Sequence, residues 1–426
     1  MSTIELSQPE VKTSQALWGG LIALLTLALG AALLKDSTLF LRLVLGLSLG
    51  FALTKASIGF AGSVNRAYRR GSTQLLRTLM LLFVITAIFN AGLLYKSGPA
   101  GFDLWVNPIN LGLIIGGVMF GAGMCLSSCC ASGVMVEMVS DIPRALTTLF
   151  FFGFGVFIGF PLQATAPWIT ESLFHSSSFA NGVYLPDLFA FGPLNGYLSA
   201  VIVTVVLAVI VNHFAKRYEQ AKRNDGSYLG VDGELQREKL TAQPRPLNTA
   251  LFSRATYQIW FAEMWTLRQG AFVIAIIFAI MMATTGAGWG ASTPFGIWFG
   301  KFLMLFGVSS QTLAEFSHRP AALFELAFFE HQISVQNLAI LVGTLIAVLL
   351  MGRFSHPFNT RHSAKQFALF ALGGALMGVG TRLANGCNVG ALYTPIANFS
   401  LSGWVFLIFL IIGGVLGNKF AQLVNR

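Results

Sequence analysis

Gly116–Gly133 reads GGVMFGAGMCLSSCCASG, and Gly373–Gly390 reads GGALMGVGTRLANGCNVG. Seven of the eighteen aligned positions are identical, including Gly116/Gly373, Gly123/Gly380, Cys130/Cys387 and Gly133/Gly390. A Cys that aligns together with the Gly ladder points to a duplicated element. In each copy an apolar run breaks into small and polar residues, at Ser127–Gly133 and Asn385–Gly390, and then resumes. At membrane depth such a break is tolerated only where the chain is buried in protein or lines a cavity. The half-helix that follows would point free N–H groups and its positive dipole end into that cavity, which suits an anion.

Working outward, composition fixes the surroundings of these two motifs. Of 426 residues, 55% are apolar and 10% are charged, with a mean hydropathy of +0.70. A soluble domain is nearer 25% charged, so an ordinary cytosolic enzyme is excluded. In hydrocarbon every backbone polar group needs an internal partner, so runs this apolar must be helices. The expected fold is therefore an all-α polytopic membrane protein. The motifs refine it to two pseudo-symmetric, inverted helical repeats with broken or re-entrant half-helices and roughly 9–11 spanning segments.

The spans expected are Leu17–Leu34, Leu39–Ala61, Leu75–Leu94, Asn110–Leu126, Ala145–Thr165, Gly196–Ala215, Gly270–Thr285, Pro294–Val308, Val335–Met351, Phe367–Leu383 and Gly403–Leu423. Short ones such as Pro294–Val308 suggest kinked or half-spanning helices. Met1–Ala16 lacks a basic start and no small-residue cleavage site follows, so the first helix is expected to be retained. The net charge of +10 could suggest nucleic acid. Its clustering in the breaks Val64–Arg77, Lys216–Arg268 and Gly352–Lys365 instead marks cytoplasmic loops. Ala166–Leu194, with no Lys or Arg, belongs outside. Domains are expected at 1–215, a first transmembrane half, and 269–426, a second; residues 216–268 form a polar cytoplasmic linker. The sparse charges before the two motifs differ, Lys96 with Asp103 against Arg353, Arg361 and Lys365, as they would if the copies entered from opposite faces.

All four cysteines, Cys125, Cys129, Cys130 and Cys387, lie in the duplicated element. Cys130 and Cys387, matched and set at the breaks, are the candidates for a functional path, together with Gly133, Gly390 and Asn385. Cys125 and Cys129, present in one copy only, serve equally well as small packing residues. A disulfide between the copies needs Cα atoms within about 7 Å. The Cys-x3-Cys-Cys spacing, with none of the six histidines near it, is not a usual zinc arrangement, so neither metal nor other cofactor is expected. Lys55, Lys301 and Arg382 fall inside or at the ends of apolar runs, where a cation faces water or a partner, or snorkels. An excess of such cations over anions favours an anionic solute. Gly296–Phe302 lacks the spacing and terminal Ser or Thr of a P-loop.

The segment RLANGCNVGAL at Arg382–Leu392 with FSLSGW at Phe399–Trp404 resembles the signature of the YeeE/YedE family of sulfur-compound membrane transporters. GMCLSSCCASG at Gly123–Gly133 is similar to that family's other Gly-and-Cys motif, and Trp298–Val308 and Phe51–Gly62 resemble weaker family segments. The resemblance implies an inner-membrane permease that imports thiosulfate or a related sulfur or selenium anion. Its narrow path would be lined by thiols, with Cys130 and Cys387 as relay thiols. Gly59 stands where family members often carry a further Cys, which leaves Cys125 or Cys129 to substitute. Helix N-termini and the cations Lys301 and Arg382 would complete the path. The expected partners are the sulfur anion and the bilayer, with a soluble cytoplasmic sulfur carrier as a further candidate and no nucleic acid. The alternative is a membrane thiol oxidoreductase or sulfur-transfer protein using the same cysteines.

Overall fold

The computed structural model describes residues 13–191, 193–231, 234, 253–358 and 360–425; the expectation for Met1–Ala16 falls largely outside them. Fourteen helices carry the architecture. They are α1 (Thr13–Leu33), α2 (Ser37–Ala56), α3 (Phe60–Arg70), α4 (Gln74–Ser97), α5 (Leu111–Ser127), α6 (Gly133–Glu137) and α7 (Ile142–Thr165) in the first half. α8 (Tyr197–Asn224) follows, then α9 (Leu267–Thr285), α10 (Thr293–Met304), α11 (Ser310–Ser317), α12 (Gln332–Leu350), α13 (Ala364–Leu383) and α14 (Ser402–Asn425). Among the described residues nine helical segments are long and apolar enough to cross a membrane, and the chain is a multi-pass membrane protein. α5 is shorter than these nine, and α10, at 12 residues, is shorter still. α8 continues through the boundary expected at 215 to Asn224, because its last turns bury Ala215 and Glu219 against the start of α4.

The two motif helices form the centre. α5 and α13 run antiparallel, pairing Gly112 with Leu383, Gly116 with Gly380 and Gly123 with Gly373. A Cβ at Gly123 would stand 2.5 Å from the Gly373 carbonyl, and one at Gly373 2.7 Å from the Gly123 carbonyl, so side-chain-free contact is what lets the backbones meet. Around this pair α14 packs on α5 and α7 on α13; α12 packs on α2 and α9 on α4. α1 lies outermost against α12, with Leu17, Leu24 and Leu33 largely exposed to the lipid side.

Helices end in left-handed residues where the chain breaks. Ser57 after α2 has φ 54°, Ser128 after α5 has φ 58° and Asn385 after α13 has φ 55°. None is Gly, and each such residue costs on the order of 1–3 kcal/mol, so the surrounding packing must hold it. After Asn385 the chain restarts as a wide π-type turn, Asn388–Tyr393, which runs into Thr394–Ala397 and is wholly buried.

Candidate substrate path

Two cavities approach the motif helices, one from each end of the antiparallel α5/α13 pair. The first, of about 470 Å³, is lined by the breaks themselves: Ser57, Gly59 and Phe60 after α2, and Ser128, Cys129, Cys130 and Gly133 after α5. Arg66, Arg69 and Arg353 and the single acid Glu137 complete its charged lining. It opens on the face that carries the Val64–Arg77 cluster. The second, of about 680 Å³, is lined by Asp103–Pro108, Gln163, Gly290–Thr293, Arg319, Arg382, Asn385 and Gly386. α5 begins beside this second cavity and ends at the first, and α13 runs the other way, so the two mouths are on opposite faces.

The second cavity is built around two arginines. Arg382, in the last turn of α13, is 3% exposed and donates to Ser292 Oγ at 2.8 Å, Thr293 Oγ1 at 3.3 Å and Thr381 Oγ1 at 3.1 Å. Gln163 Oε1 accepts from both guanidiniums, 2.7 Å from Arg319 and 3.4 Å from Arg382. The two also flank the Phe160 ring, at 5.0 and 5.6 Å from its centroid. Neither has a carboxylate ion-pair partner among the described residues; Asp103, the acid lining this cavity, accepts from Trp105 Nε1 at 2.7 Å. Neutral oxygens therefore hold two positive charges in place without discharging them, which leaves the cavity ready for an anion.

Of the matched thiols, Cys130 lines the first cavity and Cys387 follows Gly386, which lines the second. Cys130 is 1% exposed; its sulfur accepts the Gly133 N–H at 3.4 Å and lies 3.5 Å from Ser132 Oγ. Cys387, also 1% exposed, has its sulfur facing the amides of Val389 and Gly390, with Cys130 and Arg382 among its electrostatic neighbours. Each matched Cys thus sits at the restart of the chain and turns its sulfur to the N–H three residues on. Asn388, beside Cys387, donates to Met124 Sδ at 3.6 Å, and its buried Oδ1 finds no donor among the described residues. Gly390 is required here because the Trp105 ring would lie 2.5 Å from a Cβ, and that ring forms part of the second cavity's wall.

The remaining expected site residues fall elsewhere or split. Cys129 lines the first cavity beside Gly59 and Cys130. Cys125 is fully buried toward α14 at Gly414 and lines neither cavity. Asn385 lines the second cavity and accepts from Gln163 Nε2 at 2.6 Å. Lys301 lines neither; its ammonium donates to the carbonyls of Phe324 at 2.7 Å and Leu326 at 2.6 Å. Lys55, fully buried, likewise donates to the Phe261 and Glu263 carbonyls. Residues that sequence reasoning missed are Arg319, Gln163, Ser292 and Thr293. The available signal for Arg319 was an Arg beside Pro320, between two apolar runs and away from the basic clusters.

A family model described as sulphur transport matches residues 55–416. The chain belongs to this YeeE/YedE sulphur-transport family. Among curated members of known proteins, the thiosulfate transporter TsuA of Escherichia coli K12 is 25% identical over 380 residues, 87% of this chain and 91% of that protein. The thiosulfate transporter TsuA of Spirochaeta thermophila is 26% identical over 308 residues, 72% of this chain and 76% of that protein. The probable transporter YedE of Escherichia coli K12 is 29% identical over 168 residues, 38% of this chain and 41% of that protein. The match covers the second cavity, the first except Leu53 and Thr54, and both cysteine motifs, and family membership carries a role in sulphur transport.

Proposed function

We propose that this member of the sulphur-transport family is an inner-membrane permease that moves thiosulfate, or a closely related sulfur or selenium anion, inward. The ion would enter the cavity of Arg319 and Arg382, pass the thiols of Cys387 and Cys130, and leave through the cavity of Arg66, Arg69 and Arg353. The observation that supports this reading is the pair Arg319 and Arg382, held by neutral oxygens, with Arg382 among the electrostatic neighbours of the buried Cys387 thiol. A small dianion loses much hydration in such a path, and fixed cations and amide donors replace it. Thiols are weak donors suited to a soft terminal sulfur, and weak binding at each station lets the ion leave. Cys129, in the same cavity as Gly59, is the better candidate for a third thiol than Cys125.

The two halves are read as inverted repeats. Supporting this, α5 and α13 run antiparallel, and the packing of α2 on α12 and α5 on α14 is repeated by α9 on α4 and α13 on α7. Uptake of labelled thiosulfate, sulfate and selenite into proteoliposomes tests the function. Thiosulfate should accumulate, and Cys130→Ala or Cys387→Ala should abolish accumulation while the protein remains folded in the vesicles. Normal uptake by both variants would exclude the thiol path; turnover of a persulfide or disulfide without uptake would favour the thiol oxidoreductase.

A further inference from the structure

A third cavity, of about 820 Å³, lies at the face where α4 and α9 begin and α8 ends. Three helices give it charge: Arg77 on α4, Lys216 on α8 and Arg268 in the first turn of α9. Each of these helices is long and apolar enough to span a membrane, so the cations sit near its edge. α8 and α9 each pack along α4 rather than on each other, which leaves α4 as the floor of a crevice between them. Leu81 lines the cavity on that floor and is 39% exposed; Ile88, two turns on along the same helix face, is 49% exposed. The positive charge is not spent inside the protein. Lys216 and Arg268 have no hydrogen-bond or ion-pair partner among the described residues. Arg77 shares Glu219 with Arg223, and its buried Nε finds no acceptor among those residues. Asn212 Oδ1, buried in the same lining, likewise finds no donor. The lining acid, Glu234, is already paired with Arg66.

We propose that this crevice binds one anionic phospholipid, its phosphodiester held by Lys216, Arg268 and Arg77 and its acyl chains laid along Leu81 and Ile88. Basic pockets between spanning helices select negatively charged head groups, because each Lys or Arg near the surface adds to the attraction. The volume falls in the range of about 300–1,000 Å³ usual for small-ligand sites. Charge alone would equally suit a free phosphate. The apolar floor decides for a lipid: a bare oxyanion leaves Leu81 and Ile88 as they are, whereas a phospholipid carries the chains that cover them. Such a lipid also joins α8 to α9 across α4, a tie those two helices do not make themselves, so its binding stabilises the fold by mass action. None of the residues lining this crevice lines either of the two cavities described above, and the assignment stands independently of the transport reading.

Native mass spectrometry of the purified full chain, with phosphatidylglycerol or phosphatidylcholine of the same chains added, tests the site beside melting temperatures in detergent. Phosphatidylglycerol should be retained and should raise the melting temperature, and phosphatidylcholine should do neither to the same degree. Lys216→Gln with Arg268→Gln should weaken phosphatidylglycerol retention about twentyfold, at about fivefold for each charge removed, and should abolish the thermal shift. The lipid-free double variant should melt with the wild type, because neither side chain has a partner to lose. Should it not fold, Lys216→Gln alone reads the same loss at about fivefold. Arg217→Gln removes an exposed cation next in the chain that does not line the cavity, and should leave retention unchanged. Equal losses in Arg217→Gln and the double variant would reduce the effect to general surface charge and overturn the proposal, as would undiminished retention by the double variant. Inorganic phosphate producing the full thermal shift of phosphatidylglycerol would overturn the lipid in favour of a free anion.

Discussion

Arg382 is a buried charge, costly to the fold, that lines a cavity. A guanidinium 3% exposed at membrane depth is held by Ser292, Thr293, Thr381 and Gln163, all neutral. Lys has a point charge and three donors on a flexible stem, and cannot reproduce that fork. Arg382→Lys should therefore raise the half-saturating thiosulfate concentration about tenfold to a hundredfold, the loss expected for about 1.5–3 kcal/mol of charged hydrogen bonding. Initial-rate uptake over a range of thiosulfate concentrations measures it, and an unchanged half-saturation would remove Arg382 from the path. Lys301 and Lys55 looked equivalent in the sequence because each is a cation in an apolar run. Their ammoniums are spent on backbone carbonyls that end neighbouring turns, a partner that no local pattern announces.

At the scale of elements, the Gly ladder of α5 and α13 sets the distance between the two chain breaks. A Cβ at Gly123 meets the Gly373 carbonyl at 2.5 Å and the Met377 backbone N at 2.9 Å, neither of which is a movable side-chain end. Gly123→Ala should destabilise the protein by about 1–3 kcal/mol through forced separation of the helices. Gly92→Ala, where nothing lies within 4 Å on α4, should be neutral or stabilising by roughly 0.5–1 kcal/mol because it removes helix-interior glycine entropy. Thermal unfolding of both in detergent distinguishes close packing from a general effect of glycine. The ladder was legible in the sequence as the glycines matched between the two motif copies, Gly116/Gly373 and Gly123/Gly380. Its antiparallel partner was only hinted at, by a handful of loop charges.

At the scale of the whole molecule, ties join stretches far apart in the chain, and Asp141 makes the clearest of them. It caps α7, accepting the Arg144 N–H at 3.4 Å, and also meets His362 Nε2 at 3.0 Å and Thr360 Oγ1 at 2.8 Å from the stretch before α13. The Ile142 N–H donates to the Pro357 carbonyl at 3.1 Å alongside, and Arg144 pairs with Glu137 next to the first motif. Burial pushes the Asp141 carboxyl up, but the bonds from His362, Thr360 and Arg144 outweigh it and hold it below its ordinary value. A carboxylate depressed on folding stabilises the native state above the unfolded value, about pH 4, and that contribution is lost as pH falls through the lower folded value. Asp141→Asn should lower stability at neutral pH by about 1.5–3 kcal/mol. It should also flatten the acid limb of a melting-temperature profile; equal slopes in both proteins would remove Asp141 as a source of that limb.

Composition and spacing set the fold class and place the cysteines. Runs too apolar for water must be helices, their mid-membrane breaks must be buried or line a cavity, and the four cysteines fall in the two matched motifs. Those are local properties of composition and spacing, and they also carried the family resemblance. Folding alone separates Arg382, which lines a cavity, from Lys301 and Lys55, which donate to carbonyls, and Cys129 from Cys125. It also brought Arg319, Gln163 and Ser292, each far from the others in the chain, around Arg382. The reason is physical: a buried charge is stabilised by whatever oxygens folding delivers to it, and the chain order of those oxygens leaves no periodic trace.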